Sequence, residues 1–234
     1  MASMKKIGVL ALGMMALTTT ANAQETVEAE VSADVVSKYI WRGQDFGKAA
    51  IQPSASVSYK GLSLAAWGSY GIVEGGEEEF DLTLSYTTGG FNVGITDYFC
   101  SADARYFLYD AHKTAHTFEA NIGYDFGPLS VQWFTNFAGA DGVNKDGKRA
   151  YSSYLELNAP FSMGGLDWDA TVGAVPFATD FYADATGFAV TNISLKASKD
   201  IKITDTFSVP VFAAINANPS SQKAYFTFGF TLKP

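Results

Sequence analysis

VEAEVSADVVSKYIWRG, residues 27–43, separates into two kinds of side chain when every second residue is read together. Val27, Ala29, Val31, Ala33, Val35, Ser37, Tyr39 and Trp41 form one set. Glu28, Glu30, Ser32, Asp34, Val36, Lys38, Ile40 and Arg42 form the other. Successive side chains of a strand point to opposite faces. One face of this strand is therefore almost wholly apolar and ends in aromatics, and the other is charged. In a soluble sheet the apolar face meets a second sheet. In a membrane barrel it meets lipid, and the charged face lines the lumen. The remainder of the chain decides between the two.

The segment before this stretch reads as a leader. Lys5 and Lys6 precede an apolar run from Ile7 to Leu17, and Ala21-Asn22-Ala23 supplies a small-residue cleavage site. That is the pattern of a secretory signal peptide over 1–23, which leaves 24–234 as one domain. Without the two leader lysines the chain carries 14 basic against 24 acidic residues, a net charge of −10. Such a balance argues against nucleic acid as a partner. The single cysteine, Cys100, allows no internal disulfide. After the leader no apolar run approaches the ~20 residues of a membrane helix. Aromatics nevertheless make up 15% of the sequence. Export, strand-like patterning and abundant aromatics fit an outer-membrane barrel, and they also fit a secreted β-sandwich.

Strand rhythm favours the barrel. Twelve alternating segments can be read, each about 9–11 residues long, the length a tilted membrane strand needs. Ile51 to Tyr59 sets Ile51, Ala55, Val57 and Tyr59 against Gln52, Ser54, Ser56 and Ser58. Phe80 to Thr87 sets Phe80, Leu82, Leu84 and Tyr86 against Asp81, Thr83, Ser85 and Thr87. The segment from Phe188 to Ser198 is the least regular. Ala104 to Tyr109 is a further candidate, so ten or fourteen strands are alternatives. The connections alternate short and long. Lys60-Gly61, Thr88-Gly89-Gly90, Gly127-Pro128, Pro160 to Gly165 and Lys199 to Thr206 are mostly tight turns. Between them stand longer loops, the longest from Cys100 to His116. Barrels have short periplasmic turns and long external loops, whereas a sandwich has no reason to keep that order. An even count puts both termini in the periplasm. With that orientation Tyr39, Trp41, Tyr70 and Phe137 fall at the outer rim, and Tyr59, Tyr86, Tyr124 and Phe126 at the periplasmic rim, as two aromatic girdles.

Ser37-Lys38-Tyr39-Ile40-Trp41-Arg42-Gly43, followed by Ala66-Trp67-Gly68-Ser69, resembles the opening of the TorF-type porins, which carry S-x-Y-x-x-R-G and then a G-x-W-x-S-like stretch. Ala65 or Ala66 stands where that family has Gly. The resemblance covers about the first third of the chain. It implies an outer-membrane barrel, and implies neither a substrate nor catalytic residues.

The expected lumen wall carries Glu28, Glu30, Asp34, Lys38, Arg42, Asp81, Glu119, Glu156, Asp167 and Asp169. Charges on the lipid face would cost about 2–4 kcal/mol each near the midplane, which forces them inward. Their acidic excess suggests a cation preference. The alternative is a closed lumen in which acids and bases pair. His112 and His116, spaced i, i+4 in the longest loop, read as exposed loop residues. No G-x-S-x-G accompanies them, and HKTAH lacks the glutamate of H-E-x-x-H, so neither an enzyme, a metal site nor a cofactor is expected. Glu77-Glu78-Glu79 reads as a solvated external run that divalent cations bridge to lipopolysaccharide. The expectation is thus an all-β, transmembrane, antiparallel up-and-down barrel of about 12 strands in a bacterial outer membrane. Its partners are membrane lipids, lipopolysaccharide and small hydrophilic solutes that diffuse through it. The alternatives are a closed structural or surface-recognition barrel and, further off, a lipid-active enzyme at the rim.

Overall fold

A computed structural model describes residues 26–74, 78–100, 104–110 and 113–234. The expected leader, and with it Glu77 and His112, lies outside the described residues. The strands are β1 (Glu28–Val36), β2 (Tyr39–Trp41), β3 (Gln44–Gly47), β4 (Ala50–Tyr59), β5 (Leu62–Gly71), β6 (Glu78–Thr88), β7 (Phe91–Phe99), β8 (His116–Asp125), β9 (Ser130–Gly139), β10 (Ser153–Met163), β11 (Leu166–Val175), β12 (Ala189–Lys202), β13 (Ser208–Asn218) and β14 (Lys223–Leu232).

All but β2 and β3 form one closed barrel of twelve strands, each paired with its neighbours in sequence. Every pairing is antiparallel. β1 closes the circle against β14, from Ala33↔Leu232 to Val36↔Gly229, and pairs with β4 along its whole length. Closure leaves no edge strand, the condition for a sheet to cross lipid. β12, over the segment with the weakest alternation, is the longest strand at 14 residues. Its irregularity has a cause: the β11–β12 register shifts at Gly173/Ala174, and a bulge breaks the two-residue period.

Alternation sorts every strand. On β4, Ile51, Val57 and Tyr59 are exposed while Gln52 is buried and Ser54, Ser56 and Ser58 are half-buried. Leu64, Leu84, Ile95, Ile122, Val172, Ile215 and Phe226 stand exposed around the outside. An apolar surface that encircles the molecule is far larger than the few hundred Å² a soluble monomer carries; it fits a lipid-facing belt. Tyr59, Tyr86, Tyr124 and Phe126 are exposed near one end of this belt, and Tyr70 and Phe137 near the other. The first end carries tight turns such as Lys60-Gly61, where φ is positive at both residues. That is the two-residue turn whose twist matches the strands. Five of the six connections at the other end are longer.

The first long connection departs from the sequence expectation. Residues 27–43 do not make one strand. β1 stops at Val36, and the chain then makes the small hairpin β2–β3, pairing Trp41 with Gln44. Arg42 (φ 48) and Gly43 (φ 77) form its two-residue turn. Tyr39 and Trp41 are consequently not rim aromatics: they are 4% and 6% exposed, packed in a cluster with Tyr98, Phe134, Tyr154, Val175 and Tyr182. The alternating pattern runs on unbroken from β1 into β2, so periodicity alone does not reveal the reversal.

Candidate functional site

The barrel order places β9 opposite β1, six strands away in either direction. The β2–β3 hairpin starts from β1 and reaches that far wall. At its tip Arg42 makes a forked pair with Glu119 of β8, Nη1 to Oε2 at 2.5 Å and Nη2 to Oε1 at 2.9 Å. Both side chains are sealed, at 4% and 1% exposure. The Tyr98 hydroxyl donates to Glu119 Oε1 at 3.0 Å and the Tyr182 hydroxyl to Oε2 at 3.2 Å. Arg42 also donates to the Tyr182 oxygen. Burial pushes the Tyr182 phenol well above its ordinary value; Arg42 works against this and Glu119 adds to it. The phenol therefore stays protonated and serves as a donor to the carboxylate.

Aromatic rings surround the same guanidinium. Its Cζ lies 4.1 Å from the centre of Phe134, 4.5 Å from Trp41, 4.6 Å from Tyr154 and 5.7 Å from Tyr182. Tyr182 stacks on Trp41 and Tyr154. Such ring faces attract a cation most where water is excluded. Two contacts fix the hairpin backbone and flank: Asn218 Nδ2 donates to the Gly43 carbonyl at 3.1 Å, and the Ala183 amide to Gln44 Oε1 at 3.1 Å. A Cβ on Gly43 would sit 1.9 Å from the Thr191 carbonyl oxygen, so only glycine lets the tip press on β12. Gly43→Ala is therefore expected to unseat the tip. Trypsin should then cut after Arg42 at least about tenfold faster than in the wild type, the equivalent of about 1.4 kcal/mol of lost closure. An unchanged cleavage rate would show that the tip tolerates the added methyl.

Below the hairpin, toward the tight turns, the inner wall is small and polar. β4 to β9 present mostly hydroxyls and amides, among them Ser56, Ser85, Asn92, Asn121 and Gln132. The carboxylates gather on the other side. Asp34 accepts from Thr231 at 2.6 Å, Asp167 from Ser162 at 2.8 Å, and Asp169 from Asn158 and Thr171. Asp169 also stands across from Lys196.

Of the sequence-derived lumen residues, Asp81, Glu119 and Asp169 are buried, and Glu28, Asp34, Glu156 and Asp167 are partly so. Glu30 is exposed, on the same face of β1 as Glu28. Lys38 and Arg42 belong to the hairpin region rather than to a wall strand. Lys38 pairs with Asp45 at 2.5 Å, partly exposed, while Arg42 is buried. Tyr98, Phe134, Tyr154 and Tyr182 are the site residues that sequence reasoning passed over. A signal for the first three existed: each is an aromatic on the polar phase of its strand.

His116 is a second departure. It is not an exposed loop residue but the first residue of β8, 0% exposed. Its Nδ1 meets Asp97 at 2.7 Å and its Nε2 the Tyr106 carbonyl at 2.6 Å. Tyr106 and Tyr109 of the 100–115 connection lie against its ring.

No protein-family model matches the chain, and no curated protein matches it. Several solved structures are similar to it in part. One is a porin refined at 1.8 Å resolution, with 16% identity, a TM-score of 0.38, and coverage of 80% of this chain and 62% of that one. The chain thus spans about three fifths of that porin's length. The NanC porin matches over 87% of this chain and 98% of its own, with 10% identity and a TM-score of 0.45. OmpF of Salmonella typhi, in a complex with daunomycin, matches over 89% and 97%, with 10% identity and a TM-score of 0.38.

Proposed function

We propose that this protein is a bacterial outer-membrane channel for passive diffusion of small hydrophilic solutes, narrowed in its outer half by the β2–β3 hairpin. The carrying observation is the sorting of side chains on a closed barrel: apolar outside, hydroxyl, amide and carboxylate inside. Glu28, Glu30, Asp34, Asp167 and Asp169 line the inner vestibule, and Asp81, Glu119 and Glu156 lie at the level of the hairpin, Glu156 beside Tyr154 and Arg42. Tyr70 and Phe137 mark the outer lipid boundary, where lipopolysaccharide is the neighbour; Tyr59, Tyr86, Tyr124 and Phe126 mark the periplasmic one. A lipid-active enzyme is disfavoured by His116. Both its ring nitrogens are engaged, by Asp97 and the Tyr106 carbonyl, so neither stands ready as a general base.

The second reading is a closed barrel that acts through its outer loops. The complete burial of Tyr154 and Tyr182 favours it. Planar-bilayer recording from purified protein, shown to be folded by its heat-modifiable gel shift, separates the two. The channel reading expects discrete small steps and, from the carboxylates of the vestibule, a cation-selective reversal potential in a salt gradient. Silence from folded protein would overturn the channel, and anion selectivity would overturn the assignment of the lining.

A further inference from the structure

Arg42 is held as proteins hold a cationic ligand. Aromatic faces enclose its guanidinium, and a carboxylate meets both of its forks. Only Trp41 among these partners belongs to the hairpin. Phe134, Tyr154, Glu119 and Tyr98 stand on four barrel strands, and Tyr182 on a connection folded inward. The enclosure is therefore built mostly by the barrel, with Trp41 of the hairpin closing it against Tyr98 and Tyr182, a contact that a change at Arg42 alone leaves in place. We propose that this cage is a binding site for small organic cations of the guanidinium class, and that Arg42 is its built-in competitor.

Three physical points carry this. A buried ion pair is a poor device for stability alone, since apolar side chains of similar volume serve as well or better. Holding Glu119 ready with two tyrosine hydroxyls makes sense where a cation must be recognised. The carboxylate is approached in a planar, two-pronged manner, which a guanidinium matches and an ammonium does not. The cage also lies inside the barrel at the level of the hairpin, the part of the lumen that the channel reading narrows. A tethered competitor acts at a local concentration in the millimolar range. Arg42 thus keeps the cage filled against dilute cations and yields only to concentrated ones. The inference rests on the channel reading for passage, but binding itself can be measured without current.

The test uses full-length protein refolded in detergent and titrated calorimetrically with methylguanidinium chloride, with sodium chloride as the ionic-strength control. Arg42→Ala should bind one equivalent at least about tenfold more tightly than the wild type, because the tethered competitor is gone. Methylammonium should bind the same variant at least about tenfold more weakly, since it cannot fork. Arg42→Ala/Glu119→Gln should lose the site. Arg42→Gln, which keeps a neutral hydrogen-bonding tip, repeats the measurement if Arg42→Ala does not give the folded gel band. Binding no tighter than the wild type, or undiminished by Glu119→Gln, would overturn the proposal. Binding by a barrel that passes no current would uphold the cage and remove the channel; current without binding would do the reverse.

Discussion

Arg42→Ala is expected to lower the unfolding free energy of the barrel by about 3–5 kcal/mol and to raise its conductance. The magnitude follows from what the substitution leaves behind. Glu119 is 1% exposed, and a carboxylate stranded without its cation in such a place costs about that much. The tyrosine hydroxyls of Tyr98 and Tyr182 still donate to it, which keeps the loss toward the lower end. The conductance change has a separate origin. Arg42 is the hairpin's one charged anchor on the far wall; without it the tip retains the packing of Trp41 on Tyr98 and Tyr182 and the Asn218 and Ala183 contacts, one neutral hydrogen bond each and worth about 1 kcal/mol apiece. Arg42→Lys should fall between, because it restores the charge but neither the fork nor the flat face that the rings cover. Urea titration of refolded protein and bilayer recording read the two effects independently. If both the unfolding midpoint and the current stay at wild-type values, the hairpin is not held by this pair.

Glu119→Gln separates charge from position in the same network. It keeps a side chain of nearly the same shape under Tyr98 and Tyr182 but takes from Arg42 the charged carboxylate that it forks. Its expected loss is of similar size, because a buried pair is equally intolerant of losing either member. Both singles should then exceed what the double variant costs, the signature of two groups that act as a unit.

The barrel was legible from the sequence because two independent signals agree along the chain. Period-two alternation sorts inside from outside, and the turn residues set where each strand ends. Lys60-Gly61 and Gly89-Gly90 announce their reversals in composition. Arg42-Gly43 does so less clearly, since arginine is an unusual residue at positive φ. The dipeptide therefore reads as the end of a strand. The hairpin also inherits the alternation of β1, so Tyr39 and Trp41 look like lipid-facing residues until their partners are known. The far wall of the site carried a mark that alternation arguments discard. Trp67, Tyr98, Phe134 and Tyr154 are large aromatics on the polar phase of β5, β7, β9 and β10. A barrel does not place such residues inward without something for them to pack against, and here that is the hairpin. Asp97 is the converse, a carboxylate on the apolar phase of β7. Its explanation is His116, nineteen residues away in sequence, which no local pattern connects to it. Tyr182, in a connection without periodicity, had no such mark.

Leu84→Arg and Ser85→Arg place one charge on opposite faces of adjacent residues in the middle of β6. Leu84 is 51% exposed, with Leu64 and Ile95 across from it on the neighbouring strands. If this belt lies in lipid, an arginine there should cost about 2–4 kcal/mol and reduce the yield of refolding into vesicles. If water covers it, the cost should be within about 0.5 kcal/mol, as for ordinary surface substitutions. Ser85 points the other way, into the polar vestibule, where Asn92, Asn121 and their neighbours leave the arginine hydrated. Its substitution should leave the unfolding curve near the wild type. A positive charge opposite the carboxylates of β11 and β1 should instead lower the current and weaken cation selectivity. The pair thus reports on both faces of one strand. A loss of stability at Leu84 with a loss of current at Ser85 is the pattern of a conducting barrel in a bilayer. Equal tolerance at both sites would place the apolar belt in water and end the membrane reading; a silent Ser85 variant beside a damaged Leu84 variant would leave the barrel in the bilayer but close its lumen to ions.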